Sequence, residues 1–308
     1  MAPDAADVPR VPRVPYDEFG MFHENAAEFG LPYDGPPTVR RERVEVGPDR
    51  ALSALVWGDR PAEIVLLHGG AQNAHTWDTV AMALGRPLVA IDLPGHGHSD
   101  GPAEGPLDLR RNAADVASAI RALAPDALGV VGMSLGGITT LALADVAPEL
   151  VRAIVLVDVT PAVSAEGAAP IIAFIDGPPS FESFDDLLAR TIAFNPTRSE
   201  SSLRRGILHN AVQRDDGSWV WRHARFPHIR TGEQVPPDFE RLWEVVGETP
   251  APLMLVRGTR QGSVVDDAAE AELRRRRPDA RVEHVDAGHS VQGDRPVELA
   301  ALLRSFCL

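Results

Sequence analysis

Apolar residues along the chain fall into short blocks separated by stretches with helical spacing. Ile64–Leu67 and Leu88–Ile91 are uninterrupted apolar runs of four, as expected of strands buried on both faces. Leu128–Gly132, Ala153–Val157, Leu253–Val256 and Arg281–Val285 continue the series. Val39–Val46 and Leu52–Trp57 read as a hairpin joined through Gly47-Pro48-Asp49. Between the runs, Thr76–Leu84, Leu109–Leu123, Leu135–Ala147, Asp267–Arg276 and Pro296–Phe306 carry helical spacing. Asp108 is placed to cap the second of these and Pro148 to stop the third. Alternating strands and helices predict an α/β fold with a mostly parallel, doubly wound sheet covered on both faces.

Two parts of the chain break this rhythm. Residues 1–38 are proline-spaced and read as an arm packed on the domain or trailing from it. Residues 161–250 are rich in Pro, Phe, Trp and Arg, with their clearest helix at Phe184–Phe194. They read as a mainly helical cap inserted into a core made of 39–160 and 251–308.

Composition narrows the function. Hydrophobic residues are 44% and charged residues 24%, which excludes a collagen, a coiled coil and wholesale disorder. The net charge of −14 repels polyanions, so a nucleic-acid partner is not expected. The N-terminus lacks an apolar signal segment, and the one cysteine, Cys307, leaves no intrachain disulfide. A cytoplasmic location is the expectation. Ala127–Ala144 is uncharged and long enough to span a bilayer. Its four glycines fit a strand, a tight turn and a helix start better, so no membrane association is expected.

That turn carries the chemistry. Gly132-Met133-Ser134-Leu135-Gly136 matches G-x-S-x-G, directly after an apolar strand and at the start of a helix. A serine at such a turn adopts a strained backbone, so its neighbours must be small. The helix N-terminus behind it favours a developing oxyanion.

With three further segments in order, the sequence resembles the α/β-hydrolase fold superfamily. His68-Gly69-Gly70 follows a strand as the family's oxyanion loop does. Asp92-Leu93-Pro94-Gly95-His96-Gly97-His98-Ser99 is similar to its D-x-P-G-x-G-x-S loop, and Ala287-Gly288-His289 is similar to the late segment that supplies the base. The resemblance implies Ser134 as nucleophile and His289 as base, with the N–H groups of Gly70 and Leu135 as the oxyanion hole. His68 and His96 are expected to organise their own loops.

The orienting acid departs from the common pattern. The position three residues past Gly258, where many relatives carry it, is Gln261. Asp158, at the end of the preceding strand, is the favoured substitute, because some superfamily members place their acid there. Asp266 or Asp267 remains an alternative, and Asp92 is less favoured.

His75, His98, Trp77, Phe174 and Trp221 are the expected substrate-binding residues. Phe181, Phe184, Phe194, Trp219 and Phe226 are further aromatic candidates, with packing of the cap as their default role. Arg222, Arg225 and His228 would suit an anionic or polar substrate if they are not simply solvated surface. No metal or cofactor is expected.

The resemblance therefore implies a serine hydrolase acting on an ester, thioester, lactone or C–C-linked ketone of a small molecule. The same triad would also serve acyl transfer or a perhydrolase or non-haem haloperoxidase-like reaction. A non-enzymatic ligand sensor is the remaining reading. Self-association as a homo-oligomer stays open.

Overall fold

The computed structural model describes residues 12–101, 108–162, 165–223 and 238–308. Its centre is an eight-stranded sheet in the order β1-β2-β4-β3-β5-β6-β9-β10. The strands are β1 (Val39–Gly47), β2 (Arg50–Trp57), β3 (Ile64–Leu67), β4 (Leu88–Ile91), β5 (Gly129–Met133), β6 (Ile154–Val157), β9 (Leu253–Gly258) and β10 (Arg281–Val285). β2 pairs antiparallel with β1 and with β4, and every other pairing in this sheet is parallel. This is the mostly parallel sheet that the short apolar runs predict.

The two faces of the sheet explain those runs. Val65 and Leu67 of β3 and Val89 and Ile91 of β4 enter one core cluster, while Ile64, Leu66, Leu88 and Ala90 enter the other. Alternate side chains of one strand point to opposite faces, so a strand covered on both faces has no polar position to spare. The first cluster is closed by α3 (Leu109–Leu123) and α4 (Leu135–Val146). The second is closed by α1 (Phe22–Phe29), α2 (Asp78–Leu84) and the C-terminal helix (Pro296–Cys307). Each fully buried aliphatic side chain contributes about 1.5–3 kcal/mol relative to exposure. The side chain of Asp108 accepts hydrogen bonds from the N–H groups of Arg110 and Arg111 and so caps α3. The helix expected over Thr76–Leu84 begins as a 3-10 turn, Ala74–Trp77, before α2.

Beyond β6 lie α5 (Ala165–Ile175), α6 (Phe184–Phe194), α7 (Glu200–Asn210) and an antiparallel pair, β7 (Ala211–Gln213) and β8 (Trp219–Trp221). Phe181, Leu187, Ile207, Leu208, Ala211 and Trp219 form their own apolar cluster, against which Val14 and Met21 of the N-terminal segment pack. α8 (Phe239–Glu248) behaves differently from its neighbours in this stretch. It packs on α4 and on α9 (Asp267–Arg276), burying Leu242, Trp243, Val245 and Val246 in the first core cluster. The N-terminal segment is docked through Phe22, which is buried in the second cluster with an edge-on contact to Trp57.

Candidate active site

Strand ends position every element of the site. β5 runs into Ser134, whose backbone sits at φ 50 and ψ −117, a region that costs a non-glycine residue strain. The surrounding glycines make the turn feasible. A Cβ on Gly132 would lie 2.3 Å from the carbonyl oxygen of Gly136, and one on Gly136 would lie 2.2 Å from that of Leu67. α4 starts at Leu135, immediately after Ser134. Its first N–H groups therefore surround the serine, with the positive end of the helix dipole behind them.

The His68–Ala71 loop, the expected oxyanion loop, lies beside this turn. A Cβ on Gly69 would stand 3.3 Å from Cβ of Ser134. Gly69 donates its own N–H to Gln72 Oε1 at 3.1 Å. The N–H groups of Gly70 and Leu135 have no protein acceptor among the described residues, which leaves both free for an oxyanion. His68 is fully buried and donates from Nδ1 to the Gly69 carbonyl at 2.7 Å. Its Nε2 accepts from the Leu93 N–H at 2.9 Å. Burial pushes its pKa down, as it does more strongly for His96, which bonds to the Pro94 carbonyl. Both histidines hold their turns, as expected.

Asp158 ends β6 in the left-handed region, φ 48, fully buried. Oδ1 accepts from the Gly258 N–H at 2.9 Å and from Ser263 Oγ at 2.6 Å. Oδ2 accepts from the Val264 N–H at 3.1 Å and from His289 Nδ1 at 2.8 Å. Four donors on one buried carboxylate satisfy its lone pairs and fix its plane. The alternative acids are engaged elsewhere. Asp266 caps α9 by accepting from the Ala269 N–H at 2.8 Å, and Asp267 pairs with Arg257 at 2.8 Å.

His289 follows β10 in a loop pressed against β9. A Cβ on Gly258 would meet the Gly288 carbonyl oxygen at 2.6 Å, so the approach requires glycine there. The Gly288 N–H donates to Asp294 Oδ2 at 2.9 Å, which anchors the turn. With Nδ1 donating to Asp158, the lone pair of the neutral ring is on Nε2, as a general base requires. Among the described residues Ser134 Oγ and His289 Nε2 share no hydrogen bond; contacts of this kind often tighten only around substrate.

Two expected substrate contacts turn out to be structural. Trp77 is completely buried in the second core cluster, beneath the loop rather than facing a pocket. His75 is buried with both ring nitrogens taken: Nδ1 donates to Asp78 Oδ2 at 2.9 Å and Nε2 to Glu18 Oε1 at 3.1 Å. Burial alone would favour the neutral ring. The two carboxylates outweigh it and raise His75 to about 9. Glu18, also bonded by Arg41, is held at about 2 although burial opposes its charge. His209 of α7 stacks on His75 with ring centres 3.7 Å apart and planes 12° apart, and it accepts from the Tyr16 hydroxyl at 3.0 Å. Burial and the neighbouring His75 keep His209 neutral, well below its ordinary pKa.

Ligand atoms of His75, Asp78 and His209 lie within 4.8 Å of one another. Nearly parallel stacked rings cannot both contain one ion in their planes, so this cluster is built as a charge network.

The other expected contacts fall near the loops of the site. Asp92 ties down backbone, accepting from the N–H groups of Ala74 and His98 and from Arg41. His98 beside it is half-buried. Burial, then Arg41 and Arg222, lower its pKa to about 4. Phe174 stacks on Phe194 with centres 4.3 Å apart and meets Trp221 at 6.1 Å. Its neighbour Ile175 comes within 4.0 Å of the position a Cβ on Gly70 would take. Phe181 and Trp219 are buried, with Phe184 against Trp219. Phe226, Arg225 and His228 lie outside the described residues.

Several supporting residues carry no sequence signal. Asn210 Nδ2 donates to the Ala71 carbonyl at 2.6 Å, and Asn73 Nδ2 donates to the His209 carbonyl at 3.1 Å. These bonds tie α7 to the oxyanion loop. Gln292 Nε2 donates to Thr76 Oγ1 at 3.2 Å, linking the segment after His289 to the same loop.

Known proteins bear out this architecture. A model of the "Alpha/beta hydrolase family" matches residues 64–302. Esterase Rv0045c of Mycobacterium tuberculosis is 46% identical over 297 residues, covering 94% of this chain and 95% of that protein. An sn-1-specific diacylglycerol lipase of Xenopus laevis is 30% identical over 79% of this chain and 78% of its own. Among solved structures, that of the Mycobacterium tuberculosis esterase superposes with a TM-score of 0.80 at 43% identity, covering 96% of this chain and 99% of the other. E-2-(acetamidomethylene)succinate hydrolase follows at 0.76 and 26%, covering 87% and 99%. The match over most of the chain, together with a glycine-framed serine turn on a mostly parallel sheet, shows that this protein belongs to the alpha/beta hydrolase family.

Proposed function

We propose that the chain is a serine esterase of small-molecule acyl substrates, with Ser134 as nucleophile, His289 as base and Asp158 as orienting acid. The observation that carries this reading is the 2.8 Å bond from His289 Nδ1 to the buried Asp158. It supports a tautomer whose Nε2 is free to take the Ser134 proton as Oγ attacks the ester carbonyl. The oxyanion then rests on the N–H groups of Leu135 and Gly70, each donor being worth about 10²–10³ in turnover. The imidazolium returns its proton to the leaving alcohol. A water deprotonated by Nε2 attacks the acyl-enzyme, and the acid departs as Oγ recovers its proton.

The esterase and lipase names of the relatives support an ester as the bond cleaved. We assign residues 161–223 to a cap over the site, with α8 counted in the core because of its packing on α4. No helix among the described residues is long and apolar enough to cross a membrane. The reading places the protein in the cytoplasm, which cell fractionation would check.

Labelling with an active-site serine phosphonate tests the assignment. Wild type is expected to take up one equivalent and Ser134→Ala none. Absence of wild-type labelling, or equal labelling of Ser134→Ala, would refute it.

A further inference from the structure

Arg222 follows β8 directly and is partly buried. Its Nε is shielded from solvent without a hydrogen-bond partner. Among the described residues its guanidinium has no carboxylate within 4 Å. Most arginines at comparable depth have an acceptor: Arg41 holds Glu18 and Asp92, Arg50 holds Asp115, Arg205 holds Glu24 and Glu28, and Arg257 holds Asp267 and Glu270, while Arg198 and Arg190, without a carboxylate, donate to Ser202 Oγ and to the Ala173 and Phe174 carbonyls. A partly shielded guanidinium without a counter-charge is well suited to receive one from a ligand.

Its position ties it to the candidate active site. The Arg222 N–H donates to the Asn210 carbonyl at 2.8 Å, and the Asn210 side chain holds the Ala71 carbonyl of the oxyanion loop. Trp221, one residue before, meets Phe174, next to the Ile175 that lies over Gly70. His223, one residue after, lies 6.4 Å from His96, which packs edge-on to His68. Arg222 is also close enough to His98 to contribute to keeping that ring neutral. The cation thus stands among residues that contact both loops framing Ser134.

We propose that Arg222 binds an anionic group of the substrate, so that the preferred substrates are esters bearing a carboxylate away from the scissile bond. This rests on the esterase reading above and adds the substrate class. A guanidinium offers a fork of donors matched to a carboxylate, and a charge-assisted contact of this kind discriminates by about tenfold to a hundredfold.

Two pairs of substrates test it, with the carboxylate on the acyl side in one and on the alcohol side in the other. The first pair is mono-p-nitrophenyl adipate against p-nitrophenyl hexanoate. The second is hexanoyl glycolate against ethyl hexanoate. For each pair the ratio of kcat/KM, anionic over neutral, is measured in wild type, Arg222→Gln and Arg222→Lys. In at least one pair the ratio should fall tenfold or more in Arg222→Gln, chiefly through KM, and recover in part in Arg222→Lys. Ratios that stay within twofold of wild type in both pairs would overturn the proposal, even if both rates fell together. Turnover of the neutral esters by wild type that survives in Ser134→Ala would instead overturn the esterase reading.

Discussion

Replacing Asp158 with asparagine tests the arrangement of the site most directly. The carboxylate accepts four hydrogen bonds, two on each oxygen. An amide keeps the shape but has one acceptor oxygen. If that oxygen stays with Gly258 and Ser263, the NH₂ group confronts the Val264 N–H and His289 Nδ1. The imidazole then does best by accepting at Nδ1, which moves its proton to Nε2 and removes the base from Ser134. In the protease triad the same exchange costs about 10⁴ in turnover for this reason. A fall of about 10³–10⁴ in kcat is expected here, or roughly 4–5.5 kcal/mol at 1.36 kcal/mol per decade.

The folded state suffers too. Two hydrogen bonds to a charged group are lost, at about 1.5–3 kcal/mol each before any relaxation. The assay is kcat/KM on a p-nitrophenyl ester, with a thermal melt of the same samples. Retention of activity within threefold, with loss in Asp266→Asn or Asp267→Asn, would refute the reasoning.

Further outcomes follow from the same contacts. Ser263→Ala removes the 2.6 Å donor to Asp158 Oδ1; kcat should drop about tenfold, the worth of a charge-assisted hydrogen bond, and an unchanged kcat would deny Ser263 a positioning role. Gly136→Ala forces a methyl to 2.2 Å from a backbone oxygen. That overpacking should cost about 3 kcal/mol or more, lowering Tm by about 6 °C or more, and a melt within 2 °C of wild type would contradict it. The Glu18–His75 contact should make docking of the N-terminal segment pH-dependent. His75 is raised from 6.5 to about 9 on folding, so its contribution is complete below pH 6.5 and lost as pH rises through 9. Glu18 is lowered from 4.5 to about 2, so its contribution is present above pH 4.5 and lost as pH falls through 2. Limited proteolysis of residues 12–38 should therefore accelerate between pH 6.5 and 9, and Glu18→Gln should flatten that rise; equal cleavage rates across this window would argue against the network.

What the sequence made legible shares one physical property: each feature is encoded within a few residues. The apolar runs Ile64–Leu67 and Leu88–Ile91 suit strands between two cores, and a serine flanked by Gly132 and Gly136 needs a turn that excludes side chains. His75 shows the opposite case. Asp78 stands three residues on and was available as a local signal, but Glu18 is 57 residues away and His209 is 134. Only the packed arm and cap bring those charges together, so a loop histidine that resembles a substrate contact becomes part of a buried ion network. Trp77 is a parallel case, because an aromatic position says nothing about which side of a loop is core, and its ring is completely buried. α5 contains Pro170, a residue that argues against a helix interior, and tertiary context overrides that local preference.

The orienting acid joins both kinds of information. Gln261 leaves the usual position in the loop after β9 without a carboxylate, and the sequence alone leaves Asp158, Asp266 and Asp267 in competition. The donors around each differ in the structure, and those differences favour the proposed Asp158. Asp266 is used by the α9 N-terminus and Asp267 by Arg257. The loop that lacks the acid turns toward Asp158, supplying the Ser263 hydroxyl and the Val264 N–H to its carboxylate. On the proposed assignment, a carboxylate at the end of β6 rather than after β9 needs its own donors to be satisfied and oriented while fully buried. The loop in which the acid would otherwise stand provides two of them, through Ser263 and Val264, and the Gly258 N–H a third. If Asp158 is the orienting acid as proposed, its placement is a property of the whole loop rather than of one residue. Transplanting an acid to Gln261→Asp in an Asp158→Asn background should restore little activity, since Ser263 and Val264 would still face the wrong oxygen. Recovery to within tenfold of wild type would show that the loop can serve either arrangement, and that the β6 position is one choice among equals.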